Sequence, residues 1–180
     1  LINLCANFPF SVAIICLSSG GELVEYCQNR SINLRVIPLK CFRLNSFIKE
    51  LRHTLKELQP DILFGWMYHG NLVATFASYF LSKPLKVIWG IRHGSFSFRD
   101  EKLLTSVIFF VNLAVSRINS PQIVYCSYRA KNWHEAFGFC KSNSVVIHNG
   151  VSETMLHDPK LIQPKKNLAV PTLLVVGRFA

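Results

Sequence analysis

The stretch that decides the fold is KVIWGIRHGS, residues 86–95. Its first half is rich in β-branched and aromatic side chains and predicts a buried strand. Its second half cannot continue that strand, because it places Arg92 and His93 between two glycines, which favour irregular backbone and close approaches. In open α/β sheets, ligands bind beyond the carboxyl ends of the strands. The stretch therefore predicts an anion-binding site, with a surface loop carrying two solvated basic residues as the alternative.

Similar apolar runs recur on both sides of this stretch and alternate with helical patterns. Further buried strands are predicted at residues 12–17, 33–39, 61–65, 123–126 and 144–147. Helices are predicted from about residue 46 to 59 and at 72–81, 103–118 and 129–137. Strands that alternate with helices are typical of parallel βαβ units. We therefore expect an α/β fold with a Rossmann-like, doubly wound parallel sheet of five or six strands.

Polar side chains stand just after several of these strands. They are His69, Arg92, His93, Ser127 and Asn149. Because parallel strands end at one edge of a sheet, these side chains should reach one rim. Ser127 is expected first to cap the following helix and second to contact a ligand. His69 is expected to be structural or on the acceptor side.

The remaining histidines are not predicted to take part in catalysis. We expect His134 on a face of the helix 129–137, and His53 and His157 at the surface. The six cysteines form no C-x-x-C pair and no Cys/His group with zinc spacing, so no metal site is predicted. Their placement in apolar runs favours a reducing, cytosolic compartment.

Composition limits the classes of partner. The 180-residue chain is half hydrophobic and has a formal net charge of +10. A disordered chain is excluded, and anionic partners such as phosphorylated metabolites, nucleic acid or an anionic membrane surface are favoured. The longest apolar region, residues 103–115, is too short to span a bilayer and predicts a buried core helix.

The composition changes after residue 150. A largely polar segment with two prolines predicts a linker over residues 151–171, and the apolar run that follows predicts the first strand of a second domain over 172–180. We therefore expect a domain over 1–150 and a chain cut near the start of the next domain.

Five stretches together resemble the retaining glycosyltransferases of family 4, which have the GT-B fold. They are WMYHGN (66–71), VIWGIRHGS (87–95), IVYCSYRAKNWHEAFGF (123–139), SVVIHNGVSETML (144–156) and LLVVGRF (173–179). The likeness is greatest to bacterial members that build surface polysaccharides. It implies that residues 1–150 are the N-terminal, acceptor-side domain without its first strand. It also implies that the C-terminal donor site is missing, so this piece should be inactive alone.

The resemblance assigns roles to individual residues. His93 matches a loop histidine that approaches the donor sugar and phosphate, and is expected to be catalytic. The residues expected to bind substrate are Arg92, His69, Asn71, Ser127, Asn149, Gly150 and Arg178. The expected partners are a nucleotide sugar and a glycan or lipid-linked acceptor, with no cofactor, metal or nucleic acid. His148 and Ser152 depart from the family's usual Pro and Asp near the interdomain turn.

Two other classes remain as alternatives. One is a GT-B-like nucleotide-sugar epimerase, which the absent C-terminal half would distinguish. The other is a basic, non-enzymatic module that binds nucleic acid or membrane, although the aromatics are not interleaved with Lys and Arg. A cytoplasmic protein with peripheral contact at the cytoplasmic face of the inner membrane is expected.

Overall fold

A computed structural model of the chain describes residues 11–19, 32–40, 43–96 and 102–150, and the single residues 24, 26, 27, 29 and 99. The chain divides into two compact units, Leu1–Asn149 and Gly150–Ala180. Every element described below belongs to the first unit. The predicted linker 151–171 and the predicted strand at 172–180 lie outside the described residues.

Strands and helices alternate along the described chain, as the sequence predicts. The strands are β1 (Ala13–Cys16), β2 (Asn33–Val36), β3 (Ile62–Trp66), β4 (Lys86–Ile91), β5 (Gln122–Tyr125) and β6 (Ser144–Val146). The helices with defined bounds are α1 (Leu44–Leu58), α2 (Met67–Ser78), α3 (Leu103–Asn119) and α4 (Tyr128–Phe137). All of the strand pairs are parallel. The predicted parallel α/β class is therefore confirmed.

The described strands form two sheets, whereas the sequence predicts one. β1 pairs only with β2, and the second sheet has the order β3-β4-β5-β6. Apolar runs identify strands, but they do not say which backbones hydrogen-bond to one another. The two sheets share a buried cluster in which Ile37, Leu51 and Ala77 meet Ile15 and Leu63.

The sequential strand order places α2, α3 and α4 on one face of the larger sheet. Right-handed crossovers that all run in the same direction along a sheet lie on the same side of it. Trp89 and Ile123 of the sheet accordingly share one core with Tyr68, Phe109 and Ala130, which come from the three helices. The indole Nε1 of fully buried Trp89 donates to Thr75 Oγ1 at 2.9 Å, so this large core residue leaves no polar atom unpaired.

β4 continues two residues beyond the predicted break. Gly90 and Ile91 belong to the strand, and Gly90 pairs with Trp66 of β3. A Cβ atom on Gly90 would lie 2.8 Å from Cε1 of Phe64. A side chain at position 90 would therefore crowd the ring of Phe64, which gives Gly90 a packing role within the sheet.

α2 begins at Met67, five residues before the predicted start. Met67 has a φ of 62°, in the left-handed region that non-glycine residues seldom adopt. This conformation turns the chain from β3 directly into the helix. His69 and Asn71, expected in a loop, therefore lie in the first turns of α2.

α3 matches its predicted bounds but not its predicted burial. Only Phe109, Asn112 and Ser116 are buried, while Leu103 is 82% and Ile118 is 80% exposed. The expectation of a buried core helix is therefore wrong. No helix in the described part of the chain has both the length and the apolar content needed to cross a membrane.

Candidate functional site

The carboxyl ends of the four strands in the larger sheet form one edge. The parallel register sets Trp66 beside Gly90, and Ile91 beside Tyr125. The residues that follow these strands therefore emerge together. We call this edge, made by residues 66–69, 91–94, 126–128 and 147–149, the carboxyl rim.

Arg92 is held at the carboxyl rim by contacts from three directions. Its Nη1 donates to Asn149 Oδ1 at 2.6 Å, and its Cζ lies 4.5 Å from the centroid of the Trp66 ring. Its backbone N–H donates to Sδ of Met67 at 3.4 Å, and the Cys126 thiol donates to its carbonyl oxygen at 3.4 Å. The structure thus joins Arg92 and Asn149, two of the residues expected to meet.

One donor of the Arg92 side chain is left without a partner. Its Nε atom is buried and makes no hydrogen bond to the described residues. A buried, unpaired donor is costly, and a donor on a cation more so. That Nε is shielded from solvent, so a ligand cannot reach it in this arrangement. The Arg92 side chain as a whole is only partly buried, and a guanidinium fixed by an aromatic ring and an amide can bind an oxyanion at its exposed end.

His93 lies next to Arg92 and is partly buried. The edge-to-face contact between His93 and the Tyr68 ring has a centroid distance of 6.1 Å and an interplanar angle of 88°. Tyr68 itself is buried and sits one residue after the turn at Met67. The rigid phenol ring therefore limits the positions that the imidazole can take. A Cβ atom on Gly94 would meet nothing within 4 Å, so the backbone after His93 faces open space.

Tyr68 is fixed by two buried polar residues that the sequence does not single out as its partners. Its hydroxyl lies 2.7 Å from Nε2 of His134, and its carbonyl oxygen accepts from Nδ2 of Asn112 at 3.0 Å. His134 Nδ1 lies 2.7 Å from the Ala130 carbonyl, which can only accept. Nδ1 therefore carries the proton, and Nε2 accepts from the Tyr68 hydroxyl.

His134 is a core residue. Its side chain is fully buried on the inner face of α4, although the sequence predicted only a position on a helix face. The pKa of His134 is lowered to about 4, mainly by burial, while the hydrogen bond to Ala130 acts to raise it and the electrostatic effect of His93 acts to lower it. The imidazole is therefore neutral at neutral pH, and we assign it a structural role.

Ser127 and His69 lie at the carboxyl rim, as predicted. Ser127 Oγ accepts a hydrogen bond from the Ala130 N–H at 3.1 Å, so its predicted role as the helix cap of α4 is confirmed. His69 is exposed in the first turn of α2. Gly150 is exposed, and Arg178 lies outside the described residues.

Asn71, expected to bind substrate, is instead part of the interior. It is 0% exposed. With its amide nitrogen turned toward β3, that nitrogen donates to Gly65 O at 3.0 Å and to Met67 O at 3.2 Å. The side chain therefore stabilises the strand-to-helix turn beneath the rim. Once α2 is known to begin at Met67, the spacing of Tyr68, Asn71 and Thr75 places all three on one helix face, a signal hidden by the predicted start at residue 72.

No group of three or more His, Cys, Asp or Glu side chains in the described ranges could hold a metal ion. A shallow cleft of about 400 Å³ lies on α1, lined in part by Lys49, Arg52 and Lys56, and includes no rim residue. The rim itself offers fixed cationic and imidazole groups. Such groups can bind an anion and donate to an oxygen that gains negative charge.

Comparison with known proteins identifies a family and a related fold. The family described as Glycosyltransferase Family 4 matches the chain over residues 1–154. Among solved structures, Anabaena HepE, in complex with UDP and glucose, matches with a TM-score of 0.64 and 14% sequence identity. The match covers 83% of this chain and 40% of that one, so the chain spans less than half of HepE's length. No curated protein matches the sequence significantly.

Proposed function

Since the chain belongs to glycosyltransferase family 4, we propose that its intact protein transfers a sugar from a nucleotide-sugar donor to a glycan or lipid-linked acceptor. We further propose that the sugar transferred is a hexose and that its anomeric configuration is retained. The reaction would serve the synthesis of surface polysaccharide. The observation that carries the proposal is Arg92, which is partly exposed and anchored by Asn149 and Trp66 beside His93 at the carboxyl rim. The described domain would supply this rim, and a second domain the rest of the donor site.

Arg92 suits a diphosphate because it is fixed before any ligand arrives. Its guanidinium is held against Trp66 and by Asn149, so little conformational freedom remains to be lost on binding. In the proposed reaction, the bond from the anomeric carbon to the diphosphate oxygen breaks, and charge accumulates on that oxygen. Fixed cations stabilise such charge without reorganising. By resemblance, Arg178 would help to bind the donor diphosphate, without a metal ion.

His93 is proposed as the donor to the departing oxygen. The acceptor hydroxyl forms a bond to the anomeric carbon on the face that the diphosphate leaves, and its proton passes to a diphosphate oxygen. The hydrogen bond from an imidazole N–H to that oxygen becomes stronger only as the glycosidic bond breaks. It therefore lowers the barrier and does not merely tighten binding. The Tyr68 ring, at 6.1 Å from the imidazole, would keep that N–H directed.

The other expectations also stand as proposals. Ser127, Asn149 and Gly150 would contact donor or acceptor, with His69 on the acceptor side. The described domain alone would be inactive, because the residues that bind the nucleotide would come largely from elsewhere. The intact protein would be cytoplasmic and attach peripherally to the cytoplasmic face of the inner membrane.

Binding of UDP to the full-length protein, measured by titration calorimetry, tests the proposal. Arg92→Gln should weaken binding by roughly 10-fold or more, because one charge-assisted hydrogen bond is worth about 1.5–3 kcal/mol. Arg52→Gln is the matched control, since it removes the same charge from the exposed face of α1. Equal binding by both variants, or no binding of UDP or another nucleoside diphosphate by the wild type, would contradict the proposal.

A further inference from the structure

An exposed aromatic pair extends the carboxyl rim beyond Arg92. Tyr128, the first residue of α4, is 65% exposed, and His148, which lies just after β6, is exposed as well. Their rings pack edge to face, with centroids 5.7 Å apart and an interplanar angle of 62°. By contrast, the rings of Trp66 and Tyr68 at the rim are partly and fully buried, respectively. We call Tyr128 and His148 the rim pair.

The rim pair stands on an anchored backbone. Directly before the tyrosine, Ser127 caps α4 with its side chain. On one side of the histidine, the N–H of Ile147 donates to the Tyr125 carbonyl oxygen at 2.9 Å. On the other side, the Asn149 side chain accepts from Arg92 at 2.6 Å. An exposed ring on a fixed backbone loses little conformational freedom when a ligand packs on it, and tyrosine suits this task because it has only two side-chain torsions.

The charges of the rim limit what can bind to this pair. The rim residues include no Asp or Glu, so no carboxylate there would attract a cation. The charged residue that follows the tyrosine is Arg129, which is exposed. A ligand of the rim pair would therefore be neutral or anionic. It would also match a surface that is apolar at the ring face and polar at the phenol hydroxyl and the imidazole nitrogens.

A pyranose ring has this amphipathic character. Its axial C–H bonds form an apolar face, and its hydroxyl groups project from the edge as hydrogen-bond donors and acceptors. The face can pack on an aromatic ring, while the hydroxyls bind polar atoms beside that ring. A nucleobase can also stack on an aromatic ring. It fits less well here because, under the proposed function, the groups that bind the nucleotide come largely from elsewhere.

We propose that the rim pair binds the acceptor sugar, with the face of a hexopyranose packed on the Tyr128 ring. This inference rests on the proposed function and adds to it the residues that position the acceptor. His148 supports the tyrosine ring from the side and offers a ring nitrogen to a sugar hydroxyl. The next residue, Asn149, contacts Arg92, so this acceptor would lie beside the diphosphate that Arg92 is proposed to bind. Its attacking hydroxyl would then be close to the anomeric carbon of the donor.

Binding of simple glycosides to the full-length protein tests the proposal. Methyl β-glucopyranoside, methyl β-galactopyranoside and methyl α-mannopyranoside are titrated with and without UDP and followed by NMR. At least one should bind, and irradiation of the aromatic protons should transfer saturation to its C–H face. Tyr128→Ala should weaken that binding by about 5- to 10-fold, because the stacked ring is lost. Tyr128→Phe keeps the ring and should bind within about 2-fold of the wild type.

Tyr79→Ala is the matched control, because Tyr79 is 69% exposed and lies outside the rim. It should bind the glycosides as the wild type does. Both Tyr128 variants should keep the wild-type melting temperature, since they change an exposed side chain. Binding of UDP, measured by calorimetry, should be unchanged in Tyr128→Ala.

Three results would overturn the proposal. They are no binding of any of the three glycosides by the wild type, equal binding by the wild type and Tyr128→Ala, and loss of UDP binding in Tyr128→Ala, which would assign the ring to the nucleobase. Binding of UDP without binding of glycosides would refute this inference alone. Glycoside binding that depends on Tyr128, in a protein that binds no nucleoside diphosphate, would support the sugar site and contradict the proposed function.

Discussion

Acidification should destabilise the fold through His134. The side chain is fully buried and neutral, with Nδ1 donating to Ala130 and Nε2 accepting from Tyr68. Protonation of Nε2 would reverse this hydrogen bond, so that the Tyr68 hydroxyl would have to accept and turn its hydrogen elsewhere, and it would place a charge in a buried site with no salt-bridge partner among the described residues. Burial accordingly lowers the pKa of His134 to about 4 from its ordinary value of 6.5.

The magnitude follows from the two pKa values. The unfolded chain binds a proton at this residue below pH 6.5, and the folded chain does so only below about pH 4. The contribution of neutral His134 to the free energy of unfolding is therefore fully present above pH 6.5 and is lost as the pH falls to about 4. The difference between these two pKa values, at about 1.4 kcal/mol per pH unit, corresponds to about 3 to 4 kcal/mol of unfolding free energy.

Urea unfolding between pH 4 and 7.5 measures this loss. The wild type should lose up to about 1.4 kcal/mol of unfolding free energy per pH unit through this one residue. The His134→Gln variant should be less stable at neutral pH, with a flatter dependence on pH. His53→Gln, which replaces an exposed histidine on α1, is the matched control and should retain the wild-type slope. Parallel curves for the wild type and His134→Gln would refute the reasoning.

Three further changes test the packing beneath the rim. Tyr68→Phe removes the donor to the buried histidine of α4, which should cost about 1–3 kcal/mol of stability and broaden the range of His93 ring positions, seen in its NMR linewidths. Gly65→Ala should cost about 1–3 kcal/mol, because its Cβ would lie 2.5 Å from the Asn71 backbone; melting temperature would show this. Gly94→Ala, whose Cβ meets nothing within 4 Å, should melt close to the wild type, and a large drop there would mean that the rim is packed differently.

Much of the fold could be predicted from local patterns. Continuous apolar runs identified the strands, and their alternation with helical patterns identified the parallel class. The joining of Arg92 and Asn149, 57 residues apart, also followed, because parallel strands end at one edge. The separation of β1 and β2 from the larger sheet did not follow, since strand neighbours are set by hydrogen bonds between distant segments.

The roles of individual side chains depended on where each helix began and what faced it. Asn71 was predicted to bind substrate because it was expected in a loop. The turn at Met67 instead places it in a helix, where it is buried. His134 needed a partner 66 residues away, which no spacing indicates. The apolar sequence of α3 predicted a buried core helix, which was wrong, because the described residues cover only the side that bears Phe109, Asn112 and Ser116.

Turnover of the full-length His93→Ala variant tests the central claim most directly. With donor and acceptor both saturating, kcat should fall by about 100-fold or more, since one donor to the charge that develops in the transition state is lost. His53→Ala, an exposed histidine far from the rim, should keep the wild-type kcat, and all three proteins should have the same melting temperature. A folded His93→Ala enzyme with wild-type kcat would show that His93 takes no part in the chemistry.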